Sequence, residues 1–347
     1  MRIGPVPQNP WERLGLWTDR VPTPILETFH GLLLARSLMA ACRFGLLDAL
    51  ADGPRTPEEV ARECGCQPEP ADRLLQVLAS MGYIRWDGNR AHLTPLARRW
   101  LLASSPDSLR DYVLFRYREW EFVEGLEEHL QTGRPMVESS RMDREAWGLY
   151  QRGMRAVSRL GSPEVARRTP VPPSPRTLLD IGGGHGALAA AFCRRHPTLT
   201  AQVLDLPDAV EHAAPLLAEE GLGERIRHWP GDVFRTDLGE ARFDVILMAN
   251  FLHHFPEPTC RDLVARAARA LRAGGVLACV DFFRPDQRCT SNQMTTLMHL
   301  YFAMTSGSAI WTTGEVAGWQ RDAGLSPRPP VRLRRAPGAS IQSAMRS

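Results

Sequence analysis

Between residues 176 and 282 the chain repeats one pattern: a short apolar run, a turn of small or polar residues, then apolar residues at helical spacing. Residues 178–181, Thr200–Asp205, 225–232, 243–250 and 276–282 read as strands, and 243–250 is apolar enough to be central. Helices over Ala187–Arg195, about 208–220 and about 257–271 separate them, and Gly274-Gly275 stops the last. This alternation predicts an α/β fold, a doubly wound, Rossmann-like parallel sheet whose ligand sits beyond the carboxyl ends of its strands. The same rule brings residues 182–186, Asp205, Asp232, 250–254 and Asp281 to one crevice.

The first third has a different rhythm. Residues 24–42 form a helix whose apolar positions cover more than one face, which predicts burial on several sides and hence a second copy of the chain. Thr56-Pro57-Glu58-Glu59 is a capping box opening a helix to about Cys64, and a second helix runs from about Pro70 to Met81, closed by Gly82. Residues 83–86, the turn 87–89 and residues 90–93 read as a hairpin, after which Thr94-Pro95 caps a further helix. Helix, helix, hairpin is the winged helix-turn-helix layout. The would-be recognition helix, however, starts with Glu69, Asp72 and Arg73 and lacks a basic fringe, so a scaffold or dimerisation role is expected and nucleic acid is not. Residues 106–160 read as helical, with Trp120, Phe122, Leu126 and Leu130 at helical spacing before Gly133-Arg134-Pro135. The proline-rich 170–175 is the clearest boundary. The expected domains are 1–105 for dimerisation, 106–170 as helical linker and active-site wall, and 171–347 as the catalytic domain.

Composition narrows the chemistry. The 347 residues suffice for about two domains, and a net charge of +3 favours neither nucleic acid nor membrane as partner. The densest basic run, 328–335, reads as a solvated face. All 42 basic residues are Arg; without lysine there is neither a Schiff-base lysine nor a P-loop lysine. Seven scattered cysteines include Cys64-Gly65-Cys66 but no second pair, so no metal site is expected and reduced thiols in the cytoplasm are. No apolar run reaches the roughly 18 residues of a membrane span, and the polar, proline-rich start shows no targeting signal.

The glycines in Asp180-Ile-Gly-Gly-Gly-His-Gly186 allow a strand to turn sharply into a helix whose free N–H groups face a ligand. Gly182-x-Gly184-x-x-Ala187 also satisfies the dinucleotide fingerprint, which leaves the cofactor open between nucleotide-like molecules. Asp205 stands about twenty residues on, where an acid takes ribose hydroxyls; the alternative, a helix cap, is better filled by Asp208. Asp232 would accept from an adenine amino group with Val233 or Phe234 against the ring, or else cap a turn. His253 and His254 follow the central strand directly. Such histidines are either core residues or, standing over the crevice, a general base, because imidazole titrates near neutrality. Asp281 would orient that imidazole or close a turn. Met294, Leu297 or Met298, Tyr301 and Phe302 share one helical stripe, either core or an adaptable wall for a flat ligand.

Asp180 to Gly186, Leu204-Asp-Leu-Pro207, Gly231-Asp-Val-Phe234, Leu252-His-His-Phe255 and Gly274-Gly275 together resemble the S-adenosylmethionine-dependent O-methyltransferases of the plant-type and bacterial small-molecule family. The resemblance covers most of the chain and implies an N-terminal winged-helix dimerisation domain and a homodimer. It implies that the glycine loop with Gly182 and Gly184 serves the methionine part of the cofactor, Asp205 the ribose and Asp232 the adenine, with Asp180, Leu206, Val233, Phe234 and Asn250 also expected at the cofactor site. It also implies His253 as general base, Asp281 as its orienting acid with His254 beside them, a substrate wall of Met294, Met298, Tyr301, Phe302 and Trp311, and S-adenosylhomocysteine as product. The chain departs from the pattern at four places. His254 stands where an Asp is usual, Asp281 replaces Glu, Ala309-Ile-Trp311 replaces a segment with a second Glu, and Ala249 replaces Lys or Arg. The expected function is methyl transfer to a hydroxyl, phenolic by preference, of an apolar small molecule of specialised metabolism. Alternatives are C- or N-methylation, a relative that binds the cofactor without transferring its methyl, a nicotinamide oxidoreductase, and a ligand-sensing regulator.

Overall fold

The computed structural model describes residues 3–136, 143–285 and 293–347. The chain divides into two compact units, Arg2–Tyr117 and Arg118–Ser347.

In the first unit, Thr56 and Glu59 form the reciprocal capping box and open the helix Pro57–Cys64, which Gly65 ends at a φ of 64°. The helix Pro68–Ser80 and the hairpin of β1 (Ile84–Asp87) and β2 (Arg90–Leu93) follow, and Thr94 caps Pro95–Trp100. Leu47, Leu50, Val60, Leu75, Leu78, Ile84 and Leu93 make a single core between them. The apolar helix near the N-terminus is continuous from Thr23 to Phe44 through a π-helical turn at Leu26–His30, and Ile25, Phe29, Leu32 and Leu33 on it are exposed. By length and composition it passes for a membrane-spanning helix, but Glu27, His30, Arg36 and Arg43 interrupt its apolar surface.

The second unit begins with helices rather than strands. Of the stretch expected to be helical, Leu126–Thr132 ends at Gly133 with a φ of 66°, residues 137–142 lie outside the described residues, and a 25-residue helix spans Arg144–Arg168. The sheet then comprises β3 (Thr177–Ile181), β4 (Thr200–Asp205), β5 (Ile226–Pro230), β6 (Phe243–Ala249), β7 (Leu271–Phe282), β8 (Leu325–Pro327), β9 (Val331–Arg332) and β10 (Ala339–Arg346). Its order is β5-β4-β3-β6-β7-β10-β8, with β9 also on β10. The first five strands are parallel, as expected for a doubly wound sheet. Both faces are covered: along β6, Val245 and Leu247 pack with Phe192 and Val165, while Ile246 and Met248 pack with Val264 and Trp319.

Three details correct the sequence reading. The sheet is mixed, because β10 runs antiparallel to β7 from Ala339↔Phe282 to Met345↔Val276. Gly274-Gly275 lies inside β7 instead of before it; a Cβ on Gly275 would come within 2.8 Å of the Arg272 carbonyl oxygen and 3.2 Å of that of Asp244, at the register shift between β6 and β7. Residues 328–335 are more than a solvated face, since they contain β9, bury Leu333 and give the Arg334 and Arg335 amides to the buried Glu164 carboxylate.

Candidate active site

The strand order reverses between β3 and β6, so the loops leaving these neighbours open the crevice of the sheet. After β3, Gly182, Gly184 and Gly186 take φ values of 68°, 47° and 72°, a region that suits glycine. A Cβ on Gly182 would lie 2.3 Å from the Phe251 ring, so the loop after β6 closes against the loop after β3 only because that position is bare. The Gly184 amide donates to Asp205 Oδ2 at 2.8 Å, and its carbonyl accepts from His228 Nε2 at 2.8 Å.

Asp180, 1% exposed, lies beneath this turn, and neither of its carboxyl oxygens has a hydrogen-bond partner among the described residues. Burial first, and then the Asp205 charge, push its carboxyl up to about 7, with the Ala189 amide opposing. Asp205 Oδ1 accepts the Leu206 amide at 2.8 Å; burial raises its pKa, while the Leu206 and Gly184 amides and His228 draw it down. The arrangement fits S-adenosylmethionine. A buried carboxyl without donors beside a bare backbone suits an ammonium group, and a second carboxyl with spare lone pairs suits vicinal hydroxyls.

Behind the loop stands a polar network that no local motif announced. Arg155 reaches Glu220 from two nitrogens, at 3.0 and 2.8 Å, and Glu219 at 2.6 Å, while Arg194 holds the other Glu220 oxygen at 2.6 Å. His185 Nδ1 accepts the Ala187 amide at 3.1 Å, and burial aided by Arg155 pushes its pKa down to about 4. Gln151, also buried, has its amide oxygen 3.0 Å from where a Gly184 Cβ would stand.

Adjacent strands deliver the second cluster. Directly after β6 comes Asn250, exposed and with a φ of 49°, whose amide pairs with the Val280 carbonyl of β7 at 2.8 Å. The chain then makes the 3-10 turn Leu252–His254, which sets His253 Nδ1 2.7 Å from Oδ1 of Asp281, near the end of β7. The two residues are 2% and 4% exposed, and the Phe302 ring stacks on the imidazole at 3.6 Å between centroids and 21° between planes. With Asp281 accepting at Nδ1, the neutral imidazole carries its proton there and its lone pair on Nε2. The His254 ring lies 4.3 Å from that of His253; burial, aided by His253, pushes its pKa down to about 3.

The other expected site residues are distributed as follows. Asp232 Oδ1 accepts the Phe234 amide at 2.9 Å, so it closes its own turn; Val233 packs in the sheet core, and the exposed Phe234 ring meets Phe255 edge-on at 5.2 Å. Leu206 is exposed. Met294 and Met298, half-buried, precede Phe302 by two turns and one turn on the helix Gln293–Ser306. The Tyr301 hydroxyl donates to Glu119 Oε1 at 2.7 Å, and Trp311 Nε1 donates to the Leu252 carbonyl at 3.1 Å. Among the described residues no cluster of His, Cys, Asp and Glu suits a metal ion.

A doubly wound sheet with a glycine turn, an acid at the end of the next strand and a histidine–carboxylate pair fits a methyltransferase with a nucleoside cofactor. Residues 115–325 match the O-methyltransferase domain family, and residues 26–103 match the O-methyltransferase dimerisation domain. A 3-hydroxy-5-methyl-1-naphthoate 3-O-methyltransferase from Streptomyces sahachiroi is 28% identical over 92% of this chain and 93% of its own. The solved structure of an O-methyltransferase family protein from Burkholderia thailandensis has a TM-score of 0.82 at 27% identity, covering 93% of this chain and 96% of that one. The human N-acetylserotonin methyltransferase, solved in complex with SAM, shares the fold at 19% identity and a TM-score of 0.80, covering 99% of this chain and 100% of that one. The chain belongs to the O-methyltransferase family and is an S-adenosylmethionine-dependent O-methyltransferase.

Proposed function

We propose that the protein methylates a hydroxyl, phenolic by preference, on an apolar small molecule of specialised metabolism, with His253 as general base. The observation that carries this reading is the buried pair, at 2.7 Å, of His253 in the turn after β6 and Asp281 near the carboxyl end of β7. The naphthoate substrate in the Streptomyces relative's name supports a flat aromatic acceptor, and the positions of Met294, Met298, Tyr301 and Phe302 along one stripe of the helix Gln293–Ser306 are compatible with it.

In this reading the glycine turn and Asp180 hold the methionine part of the cofactor, Asp205 holds the ribose, and Asp232 with Phe234 borders the adenine. S-adenosylmethionine supplies a methyl already activated on a sulfonium sulfur and leaves as S-adenosylhomocysteine. The protein's work is then to position the acceptor and to take its proton. As the acceptor oxygen bonds the methyl carbon, His253 Nε2 receives the hydroxyl proton, and Asp281 stabilises the imidazolium that forms. Phe302 and the surrounding apolar side chains keep water from competing for that proton. The N-terminal unit, with its helix, helix and hairpin, acts as a winged-helix module for homodimer formation in place of DNA binding, and the enzyme works in the cytoplasm.

Replacing His253 by Ala tests the reading. Turnover of hydroxylated aromatic acceptors, followed as a one-methyl mass gain, is expected to fall by about 10²-fold or more. Calorimetric binding of S-adenosylhomocysteine is expected to remain. A variant with the parent rate would remove His253 from the chemistry.

A further inference from the structure

The turn that carries His253 is weakly built from within. Its own backbone bonds, His254 N to Phe251 O and Phe255 N to Leu252 O, are both 3.2 Å, at the long limit for N–H···O. A single 3-10 turn has poor internal geometry, and here its carbonyls, including the internally bonded one of Leu252, take further donors from outside. Three of those donors come from more than fifty residues downstream. Ser308 Oγ donates to the Phe255 carbonyl at 2.5 Å, and Trp311 Nε1 donates to the Leu252 carbonyl at 3.1 Å. The Ser306 hydroxyl, engaged with Phe302 O at 2.9 Å, adds a longer 3.4 Å contact to the His253 carbonyl. The Cys260 thiol, from the following helix, also lies against both carbonyls, at 3.2 Å from that of Leu252 and 3.4 Å from that of Phe255.

The same downstream segment grips the other half of the pair. Arg284, three residues beyond Asp281, donates from its amide to the Trp311 carbonyl at 3.0 Å and from Nε to the Ile310 carbonyl at 3.2 Å. Its guanidinium also meets Glu315 Oε1 at 2.5 Å. Trp311 is itself anchored, its ring edge-on to the buried Trp319 at 5.0 Å between centroids. One segment, 306–315, therefore ties together the backbone on either side of the imidazole–carboxylate bond.

We infer that Ser308 and Trp311 are positioning residues that set the alignment of His253 on Asp281, with Arg284 locking the segment to β7. The inference rests on the reading of His253 as the general base. Ser308 and Trp311 touch the turn's carbonyls and act on the chemistry only through the imidazole.

The test uses the full-length protein with Trp311→Phe, Ser308→Ala and the conservative Ser308→Thr. The Nδ1 proton of a histidine bonded to a buried carboxylate gives a low-field proton resonance, identified here by its loss in Asp281→Asn. In Trp311→Phe and Ser308→Ala this resonance is expected to move upfield and broaden. The kcat for methylation of a hydroxynaphthoate is expected to fall about tenfold, with the KM for S-adenosylmethionine and the affinity for S-adenosylhomocysteine unchanged. Ser308→Thr is expected to keep both the signal and the rate. An unaltered resonance with parental kcat in both first variants overturns the proposal, as does equal loss of signal, cofactor affinity and thermal stability in all three. A resonance that shifts as expected while His253→Ala keeps full activity leaves the alignment role standing and removes His253 as the base.

Discussion

Asp180 shows how a single residue's burial sets a pH signature. Its carboxyl is pushed up to about 7 by burial and by Asp205, whereas in the unfolded chain it ionises near the ordinary aspartate value. Between those values the folded state binds more protons than the unfolded one, so this residue lowers stability progressively as pH rises from about 4 to about 7 and adds no slope beyond. A tenfold change in proton affinity corresponds to about 1.4 kcal/mol, so the penalty is on the order of a few kcal/mol. His185, held neutral with its pKa down to about 4, acts with the opposite sign, since stability there rises with pH up to the ordinary histidine range. Comparing the parent with Asp180→Asn isolates the first effect. In urea titrations without cofactor, the parent is expected to lose stability relative to the variant across pH 4–7 and to run parallel to it above. A difference independent of pH would mean that Asp180 is already ionised in the folded protein. In the sequence Asp180 was visible as part of a motif, but its orphaned oxygens were not, because which donors come within reach is decided by packing and not by the motif. His253 and Asp281 were legible for a simpler reason: one follows an apolar strand by a few residues and the other stands near the end of the neighbouring one, so strand adjacency brings them together.

At the scale of the element, the turn from β3 into the helix Ala187–Arg195 combines two demands on one glycine. Gly182 has a φ of 68°, worth roughly 1–2 kcal/mol against a side chain, and its missing Cβ makes room for Phe251. Gly182→Ala is therefore expected to weaken S-adenosylhomocysteine binding more than tenfold by calorimetry. Adding Phe251→Ala is expected to restore part of that loss, because it removes the clash but not the backbone strain. Full affinity in Gly182→Ala would show that the turn adapts freely. The parallel strands and their helices could be read from the chain because burial on both faces makes continuous apolar runs that small residues then end. β10 could not. Ala339-Ser-Ile-Gln-Ser-Ala-Met-Arg346 has neither a long apolar run nor a clean alternation, and it buries Ser340, Gln342 and Ser343. Gln342 is satisfied there by Gln320 and the Arg328 carbonyl, at 3.2 and 3.1 Å, partners that lie 22 and 14 residues away. The grip of Ser308 and Trp311 on the histidine turn escaped the sequence for the same reason, since serine and tryptophan carry no signal of the carbonyl they will meet.

For the whole molecule, the question is what covers the helix from Thr23 to Phe44. Monomers seldom expose apolar patches beyond a few hundred Å², and this helix presents Ile25, Phe29, Leu32 and Leu33 together. The match of residues 26–103 to a dimerisation domain supports a second copy as the cover. Phe29 and Leu33, 58% and 48% exposed, stand one helical turn apart, so replacing both with Glu places two charges on one face without disturbing the single-chain core. Light scattering on a sizing column is expected to give twice 38.8 kDa for the parent and 38.8 kDa for the double variant. A monomeric parent at micromolar concentration would reject the homodimer. The glycine turn, Asp205 and the His253–Asp281 pair all lie within Arg118–Ser347. A monomeric variant should therefore still bind S-adenosylhomocysteine with parental affinity, which separates assembly from cofactor binding. If affinity fell together with the mass, the cofactor site would depend on the partner subunit, and the catalytic unit would not be self-sufficient.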